Sequence, residues 1–315
     1  VMDETVGVDA EASPVPMLPY GFDEFQVHAA CPREAWAWVR HAGPPVPGGR
    51  IKWLDIDICN GDGMVCATFR RITFVASEAG AMSAERSHAS VPAASAGQDA
   101  HLSHVFACTL SSSQFFLEDH GGVLPAVVSL EMARAAAMAQ AGADVVGITH
   151  VLWAEPITLP AGSRTLDIRL SGEKDEPLFE IAVESAAPDA TAARAHVRGR
   201  LLVGDAAQRP NVPAVDLDEI MSRCMFRIDG DDCGGRPLMQ AHGARMRAIE
   251  HLVHNRTEAL ARLRLPQDAG SCTDHLLHPS IAHGAVMAAV GLGVALDQEQ
   301  AAPRVPVALD ALWIY

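Results

Sequence analysis

The chain has 315 residues, with 24 lysines and arginines against 39 aspartates and glutamates, a formal net charge of -15. An apolar fraction of 49% beside 20% charged residues excludes a disordered chain and allows an ample core. The acidic balance excludes a nucleic-acid binder, which needs a basic stripe, and equally an anionic membrane surface.

In chain order, residues 14–28 read as a loop leading into a strand at 22–28. Residues 34–41 alternate, with Trp36 and Trp38 on one face, as a half-buried strand does. The runs 51–58 and 64–72 flank Asn60-Gly61-Asp62-Gly63, a strong hairpin signal. Residues 77–101 are small and polar without periodicity and read as an interdomain linker. A strand is expected at 105–110. A helix follows over 125–140, with Pro125 in its first turn and Gly142 ending it. Strands are expected at 148–154, 165–171, 178–185 and 193–203. A second cycle brings a helix at 217–225, strands at 245–254 and 258–265, a helix at 279–294 and a last strand at 305–315. One helix wrapped by an antiparallel sheet, twice over, is an α+β double hot-dog fold.

Seven scattered cysteines form no CxxC pair, so neither a zinc ribbon nor a thioredoxin-like site is expected. Cys59 and Cys66 stand where a hairpin could oppose them, but reduced core thiols are the simpler reading. The start lacks a signal-peptide pattern, and the longest apolar run, 284–296, is too short for a bilayer. The cytoplasm is the default compartment. Asp229, Asp231 and Asp232 lack calcium-loop spacing. No metal site is expected, His275 and His278 included, and His278 reads as a cap or packing residue.

Two segments are alike. Residues 17–28 align with 304–315, so that Pro19 and Asp23 match Pro306 and Asp310 with apolar positions kept between. The chain is expected to open in the last third of one domain and to end before the last third of its relative. The block at 34–74 is then of the right type to complete the sheet.

Other residues carry a family resemblance. Phe115-Phe116-Leu117-Glu118-Asp119-His120, Val123-Leu124-Pro125 and Leu130-Glu131-Met132-Ala133-Arg134 resemble the opening of dehydratase domains of modular polyketide synthases. Leu277-His278-Pro279-Ser280-Ile281-Ala282-His283-Gly284 is similar to their second motif. Leu54-Asp55-Ile56-Asp57-Ile58-Cys59 with Gly63–Cys66 looks like the closing hairpin of the trans-acyltransferase subclass. The resemblance implies four parts: 1–76, the closing β-rich part of a dehydratase-like hot dog; 77–103, the linker; 104–213, a first hot dog with His120; and 214–315, the start of a second with His283.

Four departures bear on activity. His283 stands where family dehydratases carry an Asp, and the residue four further on, usually Gln or His, is Met287. Four residues separate His120 from Pro125 where eight are usual, a reach of about 13 Å when extended. The family's Tyr-Gly-Pro appears as Gly235-Arg236-Pro237, without the tyrosine.

Dehydration of a β-hydroxyacyl thioester needs a base and also an acid for the departing hydroxyl. Without the Asp, one base remains, His120, beside a helix N-terminus whose amides polarise a thioester carbonyl. The resemblance therefore implies a pyran synthase, which closes a cyclic ether by oxa-Michael addition. An enoyl isomerase, a β-hydroxyacyl dehydratase and a non-catalytic structural domain stay open as alternatives. His120 and His283 are the candidate catalytic residues, with Gly122, Leu124, Pro125 and Met287 as candidate substrate contacts. No bound cofactor is expected: the substrate rides on the phosphopantetheine arm of an acyl carrier protein. The carrier and neighbouring synthase domains are the expected partners, and a homodimer is compatible with the sequence.

Overall fold

The computed structural model describes residues 17–44, 50–76, 104–159, 161–184, 195–205, 211–212, 214–230, 242–255, 257–272, 275–292 and 306–315. The linker expected at 77–103, Asp231, Asp232 and Gly235-Arg236-Pro237 lie outside the described residues.

The elements, in chain order, begin with four strands: β1 (Met17–Val27), β2 (Glu34–His41), β3 (Ile51–Cys59) and β4 (Val65–Ala76). Next come β5 (His104–Ser111), the single-turn α1 (Phe115–Glu118), α2 (Ala126–Ala141), β6 (Val145–Trp153), β7 (Ser163–Gly172), β8 (Pro177–Val183) and β9 (Val197–Val203). The last third holds α3 (Leu217–Arg223), β10 (Phe226–Asp229), β11 (Ile249–His254), β12 (Glu258–Arg264), α4 (Pro279–Met287) and β13 (Ala308–Ile314).

These strands form one sheet in the order β10-β11-β12-β2-β3-β4-β1-β13-β6-β9-β8-β7-β5. Every ladder between neighbours is antiparallel except β1–β13, which is parallel. That ladder divides the sheet into two bodies. α2 packs on β6, β7, β8 and β9 on one side, and α4 packs on β2, β3 and β12 on the other. This is the expected double hot dog. The first block of strands lies in the α4 body, through the β2–β12 ladder, while β13 hydrogen-bonds β6 in the α2 body.

The register of the parallel ladder coincides with the internal similarity. Gly21 faces Ala308, Phe22 faces Leu309, Phe25 faces Leu312 and Val27 faces Ile314, the same pairs that the aligned segments bring together. Two related strands thus lie side by side and in step.

Local chemistry accounts for the elements. In β2 the buried face carries Ala35, Ala37 and Val39, small enough for the sheet to approach α4. Trp36 and Trp38 share the opposite face, where they pack with Leu217, Ile220 and Leu260 under α3. At the β3–β4 turn, the Asn60 side chain accepts from the Asp62 and Met64 amides at 3.0 and 2.9 Å. Gly63, at φ +77°, is obligatory there, since a Cβ would stand 2.0 Å from the Val215 carbonyl. Cys59 pairs in register with Val65, not Cys66, and neither cysteine is joined in a disulfide. Their sulfurs turn to the Trp36 and Met64 carbonyls.

Some boundaries differ from expectation. Pro125 is the N-cap of α2 and not its first turn, while Gly142 closes the helix in the left-handed conformation as anticipated. The helix expected to reach residue 294 ends at Met287 and tightens into a 3-10 turn, Ala288–Leu292. That turn presses Gly291 on β11 and β12, where a Cβ would come within 2.7 Å of Leu252 and 2.9 Å of Ala259. Of the strand expected at 245–254, the first part is a 3-10 turn, Ala244–Met246, because the Arg245 amide bonds the Asp119 carboxylate instead of a ladder partner. The strand expected from 193 starts at Val197. The one-turn α1 and the short β10 lacked a readable period. No helix among the described residues is long and apolar enough to cross a membrane.

Candidate active site

The site is assembled from three stretches far apart in sequence. The first is the loop between α1 and α2. After Asp119 the chain reverses through Gly121 and Gly122, at φ +63° and +74°, conformations that side-chain-bearing residues rarely adopt. The Gly122 amide returns to the Leu117 carbonyl, and the Gly122 carbonyl accepts from Leu159, so both its backbone groups serve the fold. Two consecutive left-handed glycines are how four residues suffice between His120 and Pro125. Leu124 is buried and fixed by its amide to the Ile157 carbonyl.

This reversal folds the His120 ring onto its own loop, where Nδ1 lies 2.7 Å from the Val123 carbonyl oxygen. A carbonyl only accepts, so Nδ1 carries the proton and Nε2 keeps the lone pair. His120 is 6% exposed. Burial pushes its pKa down to about 4, with the nearby His242 ring adding to the fall and the Val123 bond opposing it.

The second stretch, His242–Met246, was not singled out from sequence. It is held by Asp119, whose backbone carbonyl accepts from Gly243 at 2.8 Å. The Asp119 carboxylate takes the Arg245 amide at 2.7 Å and its guanidinium at 3.0 and 2.7 Å. Arg245 also reaches Glu118 at 2.7 Å. A Cβ at residue 243 would fall 2.2 Å from the Asp119 carboxyl carbon, so only glycine allows the approach. Arg245 holds the Asp119 carboxyl below its ordinary range. This nearest carboxylate is therefore an anion engaged by arginine, not a proton donor.

The third stretch is α4. His278 caps it: Nδ1 accepts from the Ser280 amide at 3.2 Å, and Nε2 donates to the Ala269 carbonyl at 2.8 Å. Both its nitrogens are thus occupied, in keeping with the cap expected of it. Ser280 donates to the Arg245 carbonyl at 2.6 Å, tying this helix start to the second stretch. One turn on, half-buried His283 meets the other rings: centroids lie 4.2 Å from His242 and 6.0 Å from His120, and His120–His242 is 5.2 Å. Burial and its two histidine neighbours put the His283 pKa well below its ordinary value. Met287 is buried in the main core.

The structure therefore brings His120 and His283 together, places Pro125 at the start of α2, and sets Leu124 and Met287 in the packed interior. His242 is the addition. It sits on a loop with no periodicity, and nothing in its neighbours marks it. The cluster is three imidazoles, of which burial favours the neutral form at His120 and His283, without a free carboxylic acid among the described residues, suited to accepting a proton at His120 Nε2.

Fold and site together define a double hot-dog protein with a histidine-based centre. Comparison with known proteins narrows this. Residues 93–185 match the family model described as "Polyketide synthase dehydratase domain", and residues 212–315 match "Polyketide synthase dehydratase N-terminal domain". Polyketide synthase PksN of Bacillus subtilis is 28% identical over 226 residues, 67% of this chain. Polyketide synthase ThaG of Burkholderia thailandensis is 31% identical over 230 residues, also 67%. The chain spans about 4% of the length of each. Among solved structures, the pyran synthase domain from module nine of the sorangicin pathway is 30% identical with a TM-score of 0.54, over 69% of this chain and 77% of that one. A trans-AT polyketide synthase dehydratase domain from Brevibacillus brevis is 26% identical with a TM-score of 0.55, over 66% and 76%. The chain belongs to the polyketide synthase dehydratase family, in its trans-acyltransferase branch.

Proposed function

We propose that this domain closes an oxygen ring in an acyl chain held as a thioester on the phosphopantetheine arm of a carrier protein. The observation that carries the reading is the centre itself: a buried base with its lone pair at Nε2, faced by two imidazoles, with the neighbouring Asp119 carboxylate bound to Arg245. Similarity to a pyran synthase domain supports it.

His120 Nε2 takes the proton of a substrate hydroxyl as that oxygen bonds the β carbon of an enoyl thioester. The electron pair of the double bond moves to the thioester enolate, and the imidazolium returns its proton to the α carbon. The negative charge developing on the enolate raises the basicity of the adjacent ring, so His120 strengthens as a base along the reaction. Amide dipoles at a helix N-terminus, such as that of α2, favour negative charge of this kind. No hydroxide leaves, so no second acid is required, whereas dehydration needs one that His283, held neutral by burial, supplies poorly.

The test offers the protein hydroxy-enoyl and β-hydroxyacyl pantetheine thioesters and follows products by mass and chromatography. Ring closure without mass change, abolished in His120→Ala, is the expected result. Water loss from the β-hydroxyacyl substrate would make the domain a dehydratase. A migrated double bond would make it an isomerase. Turnover of neither thioester would leave a structural domain.

A further inference from the structure

We infer that His120, His242 and His283 form a binding site for a zinc-type divalent cation. One ring nitrogen from each lies within 4.8 Å of the other two. Tetrahedral zinc with bonds of 2.0–2.1 Å holds its nitrogens about 3.4 Å apart. Reaching that spacing from 4.8 Å draws the nitrogens together by roughly 1.4 Å, a distance on the scale of side-chain rotation.

Three features beyond proximity favour a metal. His120 gives its Nδ1 proton to a backbone carbonyl, the bond by which metal-ligating histidines fix their tautomer and aim the other nitrogen. The three carriers are tied to one another: Asp119 grips Gly243 and Arg245, and Ser280 grips the Arg245 carbonyl. The donor set is imidazole alone, which selects zinc, cobalt, nickel or copper over magnesium or calcium. A water as fourth ligand would complete the tetrahedron. The three histidines are scattered along the chain, which is why ligand spacing in the sequence gives no sign of them.

His120 Nε2 cannot hold a metal and accept a proton at once, so zinc excludes ring closure; this last clause rests on the function proposed above. Metal binding itself does not.

The test titrates the full chain with zinc against a chromogenic chelator, and with cobalt for the visible absorption of a tetrahedral nitrogen site. One ion per chain is expected. His242→Gln and His283→Gln should each weaken it on the order of 100-fold, while His150→Asn, at an exposed position in β6, should leave it unchanged. X-ray absorption of the zinc-loaded wild type should count three imidazoles, a readout independent of whether a variant folds. Absence of stoichiometric binding, fewer than three imidazoles, or wild-type affinity in either glutamine variant overturns the site. Ring closure that zinc stops and a chelator restores supports the exclusion. Binding without any thioester turnover removes the proposed activity and leaves the site standing.

Discussion

At the scale of single residues, His120 shows how an ordinary side chain becomes a particular reagent. Burial lowers its pKa to about 4, and the carbonyl of Val123 chooses which nitrogen is basic. Between the ordinary value of 6.5 and 4, the unfolded chain takes up a proton that the folded one refuses. Stability is thus fully present above 6.5 and declines as the pH falls toward 4, by on the order of 3 kcal/mol from this ring. Chemical denaturation across that range should show the decline, and His120→Gln should flatten it. For the same reason kcat/KM should stay level through pH 6.5 and drop only near 4; a half-maximal rate near 6.5 would mean a solvated ring. His120 and His283 were legible in the sequence because each sits in a motif that opens a helix. His242 was not, because its place depends on Asp119, a residue more than a hundred positions away.

At the scale of elements, the clamp between α1 and the 242–246 turn sets the distances of the centre. Asp119→Asn should leave Arg245 paired with exposed Glu118 alone, lowering stability by about 2 kcal/mol. It should also lower kcat on the order of 10-fold to 100-fold as His242 moves from His120. Thermal melting and steady-state kinetics separate the two effects. Arg245→Lys should not rescue, since an ammonium cannot reproduce the paired bonds of the guanidinium. Elements with a strong local period were readable almost to the residue: β2 alternates cleanly, and α2 has its glycine stop. The expected strand from 245 and the long last helix were misread for one reason. In both places a tertiary partner, Asp119 in one case and the β11–β12 surface in the other, overrides the local pattern.

At the scale of the whole molecule, the sheet has a seam. A parallel ladder is slightly weaker per residue than an antiparallel one, and β1–β13 is the parallel ladder between two bodies that each wrap a helix. Native-state hydrogen exchange should therefore report two cooperative units meeting there. Strands β5–β9 and β13 should protect together, β1–β4 and β10–β12 together, and the amides bridging β1 to β13 should exchange before those on either side. Uniform protection across the seam would refute the division. The twofold helix-and-sheet pattern was visible in the sequence, and so was the likeness of 17–28 to 304–315. That the two likenesses would become partners was not, because similarity says nothing about adjacency.

That adjacency has a consequence for association. Like residues stack on like, Phe25 beside Leu312 and Val27 beside Ile314, in parallel and in register, which is the geometry by which identical chains template one another. Once the seam parts, β1 finds an equally matched seat on the β13 of another molecule, so the closing strands are exchangeable parts and heat or crowding turns an internal joint into a link between copies.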